Sequence, residues 1–244
     1  LGIKNIKINY IILSKHYIKL KIQYNIYYYY MYRTFALLLW PSLFLLYSCV
    51  IMSDKPETQK KLVTNAVSAT NCYTTVTLGS MYYLSKNPIF YQASLLINGT
   101  YFIWDTYRII LNNIKSESLY ICHHIVALFF FNSMNYNYPS IIYHSYYIAE
   151  VSNILMYIIY YFLKTQEIKD NNNLKILNNL LLTQLIWYGF FRIPVALYIL
   201  YYKKDEFSNF LYYSSCVTFI MGIKWWSGQF KGYKKSHKKY IKDA

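Results

Sequence analysis

A row of long apolar stretches, each closed by a short charged or polar gap, constrains this chain more than any other feature. A transmembrane helix needs about 20 predominantly apolar residues. Six or seven runs answer that description, at 34–52, 62–84, 89–112, 119–134, 140–163, 176–202 and 207–226. The gaps include "SDKPETQKK" at 53–61, "NYNYP" at 135–139, "KTQEIKDNNNLK" at 164–175 and "KKDE" at 203–206. Pro139 favours a helix restart just after it. The expected fold is all-α, a multi-pass transmembrane bundle of six or seven helices.

Composition supports that reading, because 56% of the 244 residues are hydrophobic and only 14% are charged. A soluble domain of this length carries far more charge. The net charge of +15 has two explanations, a headgroup-facing lysine layer or a nucleic-acid patch. The second needs a water-exposed basic face that the apolar runs leave little chain to build, so no nucleic-acid partner is expected. Lys and Arg crowd the C-terminal tail and the gaps after the first and fifth runs, which puts the C-terminus in the cytoplasm by the positive-inside rule.

Four segments follow. Residues 1–33 form a basic, Tyr-rich stretch without the compact charged end and cleavage site of a signal peptide. Residues 34–56 hold the first span and its linker, residues 57–233 the main helical domain, and residues 234–244 a basic solvated tail. Cys49, Cys72, Cys122 and Cys216 show no C-x-x-C spacing, so neither a zinc site nor a disulfide framework is expected.

Ionisable groups at membrane depth cost several kcal/mol on insertion scales, so they pair or face a cavity. That logic selects Asp105, His123, His124, His144, Glu150 and Arg192, while Arg108 and Lys224 lie near enough to run ends to snorkel. Arg192 has no acidic residue at i±3 or i±4. Its expected partner is Asp105 or Glu150 from another helix, or an acidic lipid headgroup. Adjacent residues on a helix point about 100° apart, so one of His123 and His124 can face a cavity while the other packs. That spacing makes a poor metal chelate, and no metal or other cofactor is expected. Acid–base work by a histidine and plain hydrogen bonding inside the bundle both remain open.

Taken in order, "NAVSATN" at 65–71, "NGTYFIWDTYRII" at 98–110, "HH" at 123–124, "AEVSN" at 149–153 and "GFFRIP" at 189–194 resemble the TLC-domain family of multi-pass membrane proteins. The resemblance spans roughly residues 57–233. Ceramide synthases are the enzymes of that family, with paired histidines followed by a His-Asp-x-Ser-Asp cluster. The paired histidines correspond to His123 and His124, the first aspartate to Glu150 and the serine to Ser152. The cluster's histidine is Ala149 here and its second aspartate is Asn153, and Asn71 stands where a "VS-x-x-H" histidine is usual.

The "E-x-S" version looks more like the transmembrane TLC-domain-containing subgroup, linked with membrane lipid composition. The resemblance therefore implies a protein that binds membrane lipid, such as sphingolipid or fatty acyl chains, in a helical cavity. The residues it implies are Asp105, His123, His124, Glu150, Ser152 and Arg192. The alternative it implies is an acyl-CoA-dependent N-acyltransferase with His123, His124 and Glu150 as its catalytic residues. Either would sit in the endoplasmic reticulum or another endomembrane.

Overall fold

Two prolines mark where helices begin. Pro56 and Pro88 occupy the first turns of α2 (Pro56–Ser85) and α3 (Pro88–Leu111), where a missing backbone N–H costs nothing. Lys86 adopts the left-handed conformation at φ 56° and returns its N–H to the Tyr82 carbonyl, ending α2. The Asn87 side chain then accepts the Ile89 N–H at 3.1 Å, starting α3. Two residues thus reverse the chain, and α2 and α3 pack side by side.

In this computed structural model residues 34–35, 37–112, 118–133, 141–165, 171–202 and 209–243 are described. The basic segment 1–33, the "NYNYP" gap with Pro139 and the "KKDE" gap lie outside them. The remaining helices are α1 (37–50), α4 (Ser118–Ser133), α5 (Ile141–Val151), α6 (Ile154–Thr165), α7 (Asn171–Tyr202) and α8 (Asn209–Asp243). No strand occurs among the described residues, so the chain is all-α.

The pattern of neighbours closes a ring. α2 packs on α3, α3 on α4, α4 on α8, α8 on α7, and α7 on α5 and α6, which return to α2. Helix α1 lies against the α2–α3 side. There the Trp40 indole donates to Thr100 Oγ1 at 3.1 Å, and Tyr47 shares a 2.8 Å hydrogen bond with Thr70.

Polarity across this ring is inverted. Asn71, Asn98, Asp105, His124, Glu150, Ser152 and Gln184 are buried, while Leu45, Ile110, Ile186, Phe190, Tyr213 and Ile220 are exposed. The polar α2 bonds inward: Ser68 to Tyr101 at 2.7 Å, Asn71 Nδ2 to Asn98 Oδ1 at 2.6 Å, and Ser80 to Tyr147 at 2.8 Å. Gly79 permits the last contact, because a Cβ there would stand 2.3 Å from Tyr147 Cδ2.

Among the described residues two helical stretches are long and apolar enough to cross a membrane, Tyr143–Thr165 and Asn172–Tyr202; Leu37–Val50 and Leu119–Phe131 are apolar but shorter. Each expected run is helical over most of its described residues. The fourth forms a 16-residue helix, as long as its run, which rises about 24 Å. Two others depart from their expected shape. The fifth is interrupted at Ser152–Asn153. The last continues without a break through the tail to Asp243, so residues 234–243 are the end of α8.

Candidate functional site

The site is organised by the interruption between α5 and α6. Ser and Asn compete with the helical ladder by local bonding, and at 152–153 they do so. Ser152 Oγ donates to the Ala149 carbonyl at 2.6 Å, the Asn153 N–H turns back to Glu150 O at 2.9 Å, and the Met156 N–H takes Asn153 O at 3.0 Å. This tightening removes the helical donors that the Val151 and Ser152 carbonyls would otherwise receive.

Side chains of the flanking helices replace them. From α7, the Trp187 indole donates to Val151 O at 3.0 Å and Gln184 Nε2 donates to Ser152 O at 3.1 Å. From α2, the Cys72 thiol donates to Glu150 O at 3.3 Å, the Tyr73 hydroxyl to Ile154 O at 3.2 Å, and Asn65 Nδ2 to Tyr157 O at 3.2 Å. A buried carbonyl left without a donor is expensive. The interruption is therefore clamped from both sides.

Arg192 completes the clamp. Its Nε donates to Ser152 Oγ at 2.9 Å, and one terminal nitrogen donates to Ala149 O at 3.2 Å and Asn153 Oδ1 at 3.3 Å. The guanidinium also lies over the Tyr188 ring, 5.1 Å from its centroid, a favourable cation–π arrangement. The carboxylate partner expected for Arg192 is not what the structure contains. The Ala149 carbonyl, Ser152 Oγ and Asn153 Oδ1 stand where a direct ion pair with Asp105 or Glu150 was expected.

Beside the clamp is a partly enclosed cavity of about 140 Å³, roughly ten times the room one water needs. It is bounded by α3, α4, α5, α7 and α8. His123, Tyr146, Glu150 and Arg192 contribute its polar wall; Phe131, Val195, Ala196, Leu200 and Phe219 contribute much of the apolar remainder. Along α7 the lining runs from Phe191 to Leu200, about 14 Å of helix rise. The His123 ring stands edge-on to Trp225 at 5.3 Å, and its buried Nδ1 has no hydrogen-bond partner.

Asp105 and His124 belong to a different group. Asp105 Oδ1 accepts from Arg108 Nε at 2.7 Å, and Asp105 Oδ2 lies 3.7 Å from His124 Nε2. His124 Nδ1 is 3.1 Å from Thr106 Oγ1, and its ring stacks on Phe102 with centroids 4.7 Å apart. Arg108, expected to snorkel, is instead only 9% exposed, because a carboxylate three residues earlier on the same helix face takes its charge. His144 bonds the Tyr83 hydroxyl.

The six sequence-derived site residues thus divide into three sets. His123, Glu150 and Arg192 meet at the cavity; Ser152 lies fully buried behind Arg192; Asp105 and His124 pair away from the cavity lining. Sequence reasoning missed Gln184, Trp187 and Tyr146. Gln184, Trp187, Tyr188 and Arg192 recur at helical spacing, and that one-faced pattern was their available signal. Comparison with protein-family profiles, with characterised proteins and with solved structures finds no match to the chain.

Proposed function

We propose that this chain is a multi-pass membrane protein of the TLC type that binds a lipid in the cavity between α4, α5, α7 and α8. The observation that carries the reading is the cavity itself, a long apolar lining that ends on His123, Glu150 and Arg192. A single-chain amphiphile fits that contrast, with its tail along α7 and its head against the polar wall. Membrane residence is supported by the inverted polarity, since exposed Ile186, Phe190 and Ile220 suit hydrocarbon and would aggregate in water.

Orientation has its own support. The ring brings the start of α2, the end of α6, the start of α7 and the end of α8 to one end. Lys55, Lys60, Lys61, Lys164, Lys175 and the α8 lysines gather there, against Lys86 alone among the described residues at the other end. Cytoplasmic loops hold such an excess, so the C-terminus is cytoplasmic.

The test is extraction of lipid from the purified protein followed by mass spectrometry. The intact chain is expected to retain one lipid class above its bulk share, and Ala196→Trp, which fills the cavity, is expected to lose it. Identical lipid profiles for the two proteins would overturn the reading.

A second reading, acyl transfer to a long-chain amine, is favoured by one observation, the unpartnered ring nitrogen of His123 at the cavity that Glu150 also lines. A histidine so placed has the proton-accepting atom that such a reaction needs. Membranes given isotope-labelled sphingoid base and acyl-CoA decide between the two. Product that depends on His123, lost in His123→Ala, supports the enzyme; equal product from both proteins, or none from either, leaves binding.

A further inference from the structure

From Asn209 to Lys242 every charged residue of α8 is a lysine. At 100° per residue, Lys224, Lys231, Lys234, Lys235 and Lys238 fall within an arc of about 100° on one face. All five are exposed. The opposite face is the one that packs, for Trp226 donates its indole N–H to Leu185 O of α7 at 3.0 Å, and Tyr233 and Tyr240 are half-buried in the same register.

The lysine face continues a second stripe. Tyr213, Val217 and Ile220 occupy the same arc one to three turns earlier, and they are 68%, 42% and 64% exposed. One outward face of one helix therefore changes from apolar to cationic near Lys224. Trp225 and Trp226 stand at that change, Trp225 stacked on Tyr120 with centroids 5.6 Å apart, as aromatic residues do at a bilayer interface. Lys231 follows Trp225 by six residues, about 9 Å of rise, within the reach of a headgroup layer.

Held in this helix, the lysines repel one another. Lys231 with Lys234 and Lys235, Lys234 with Lys238, and Lys235 with Lys238 are i,i+3 or i,i+4 neighbours of like charge, an arrangement that weakens a helix. No acidic residue precedes Asp243 on α8 to relieve them. The charge needs an external counterpart, and the continuity of the stripe with a lipid-facing one says where it is.

We propose that the lysine face of α8 is a binding surface for the phosphates and carboxylates of anionic phospholipids in the leaflet at the lysine-rich end of the bundle. This rests on the membrane-spanning reading above, but not on what the cavity holds. Lys224 and Lys231 reach the headgroups first, and Lys234, Lys235 and Lys238 extend the same contact outward.

The full chain is reconstituted into nanodiscs of neutral phosphatidylcholine, or of phosphatidylcholine with phosphatidylserine at about 3:1, and amide exchange is followed over residues 229–242. Anionic discs are expected to slow exchange severalfold, an effect lost in 0.5 M salt (~4 Å screening length) and in the K231Q/K234Q/K235Q/K238Q variant. Equal exchange in the two discs, or slowing that survives in the variant, overturns the inference. Slowing by added polyglutamate or duplex DNA in neutral discs, with none from anionic discs, overturns it in favour of a soluble polyanion. Failure of the chain to enter either disc overturns the membrane-spanning reading as well, whereas entry into both with equal exchange removes only this surface.

Discussion

Gly79 is where a single atom decides packing. A Cβ at that position would stand 2.3 and 2.5 Å from two ring atoms of Tyr147, so Gly79→Ala must push the ring and break its bond to Ser80. Overpacking of this kind costs about 1–3 kcal/mol, and a lowered melting temperature in detergent is the expected reading. Pairing the change with Tyr147→Ala should return part of the loss. Gln184→Leu tests a different residue-scale effect, because it keeps the volume but strips the donor from the Ser152 carbonyl. Leaving that buried acceptor unpaired should cost about 1–3 kcal/mol. An unchanged melting temperature would mean that another donor reaches it. Arg192 and Arg108 show what sequence could not supply at this scale. Arg192 was legible as a deep positive charge, but its acceptors Ser152 Oγ, Asn153 Oδ1 and the Ala149 carbonyl were not, because they converge only once the fifth run breaks; Arg108 was read as snorkelling, and its burial on Asp105 depends on how α3 turns against α4.

At the scale of elements, the apolar runs located every described helix, because hydrophobic length is written directly in composition. The interruption of the fifth run was not legible as a break. "AEVSN" reads equally well as continuous helix, and only donors from α2 and α7 make the break affordable. Those donors explain why arginine stands at 192. Its Nε and one terminal nitrogen meet three acceptors on the α5–α6 segment, and a lysine presents a single nitrogen in their place. Arg192→Lys is expected to destabilise the protein by about 1–3 kcal/mol despite its conserved charge. Protease sensitivity near residues 150–154 should rise with it; resistance equal to that of the parent would show that charge alone suffices. α8 presents the opposite case. Its basic tail was legible as charge but not as helix, since lysine at i,i+3 and i,i+4 argues against helical order until the Trp226 bond to α7 and the half-buried Tyr233 and Tyr240 in the same register are seen.

For the whole molecule, the closed order of neighbours, α2 to α3, α4, α8, α7 and back through α5 and α6, was beyond sequence reading, because ring order is set by side-chain contacts between distant runs. It turns the scattered lysines into a two-ended charge difference, and that difference yields a topological prediction. A glycosylation acceptor inserted in the turn at 86–87 should be modified in a eukaryotic endomembrane, and the same acceptor fused after Ala244 should not. The reverse pattern would invert the proposed orientation. Assembly order carries a further consequence of the interrupted helix. The Val151 and Ser152 carbonyls find their donors on α7, which a ribosome makes only after α5 and α6 are complete. In the membrane-spanning bundle proposed above, a nascent chain that has reached residue 170 would hold a half-finished pair of helices with open acceptors, unable to settle in hydrocarbon until the next span arrives. On that reading the same feature that shapes the cavity also sets the order of its assembly.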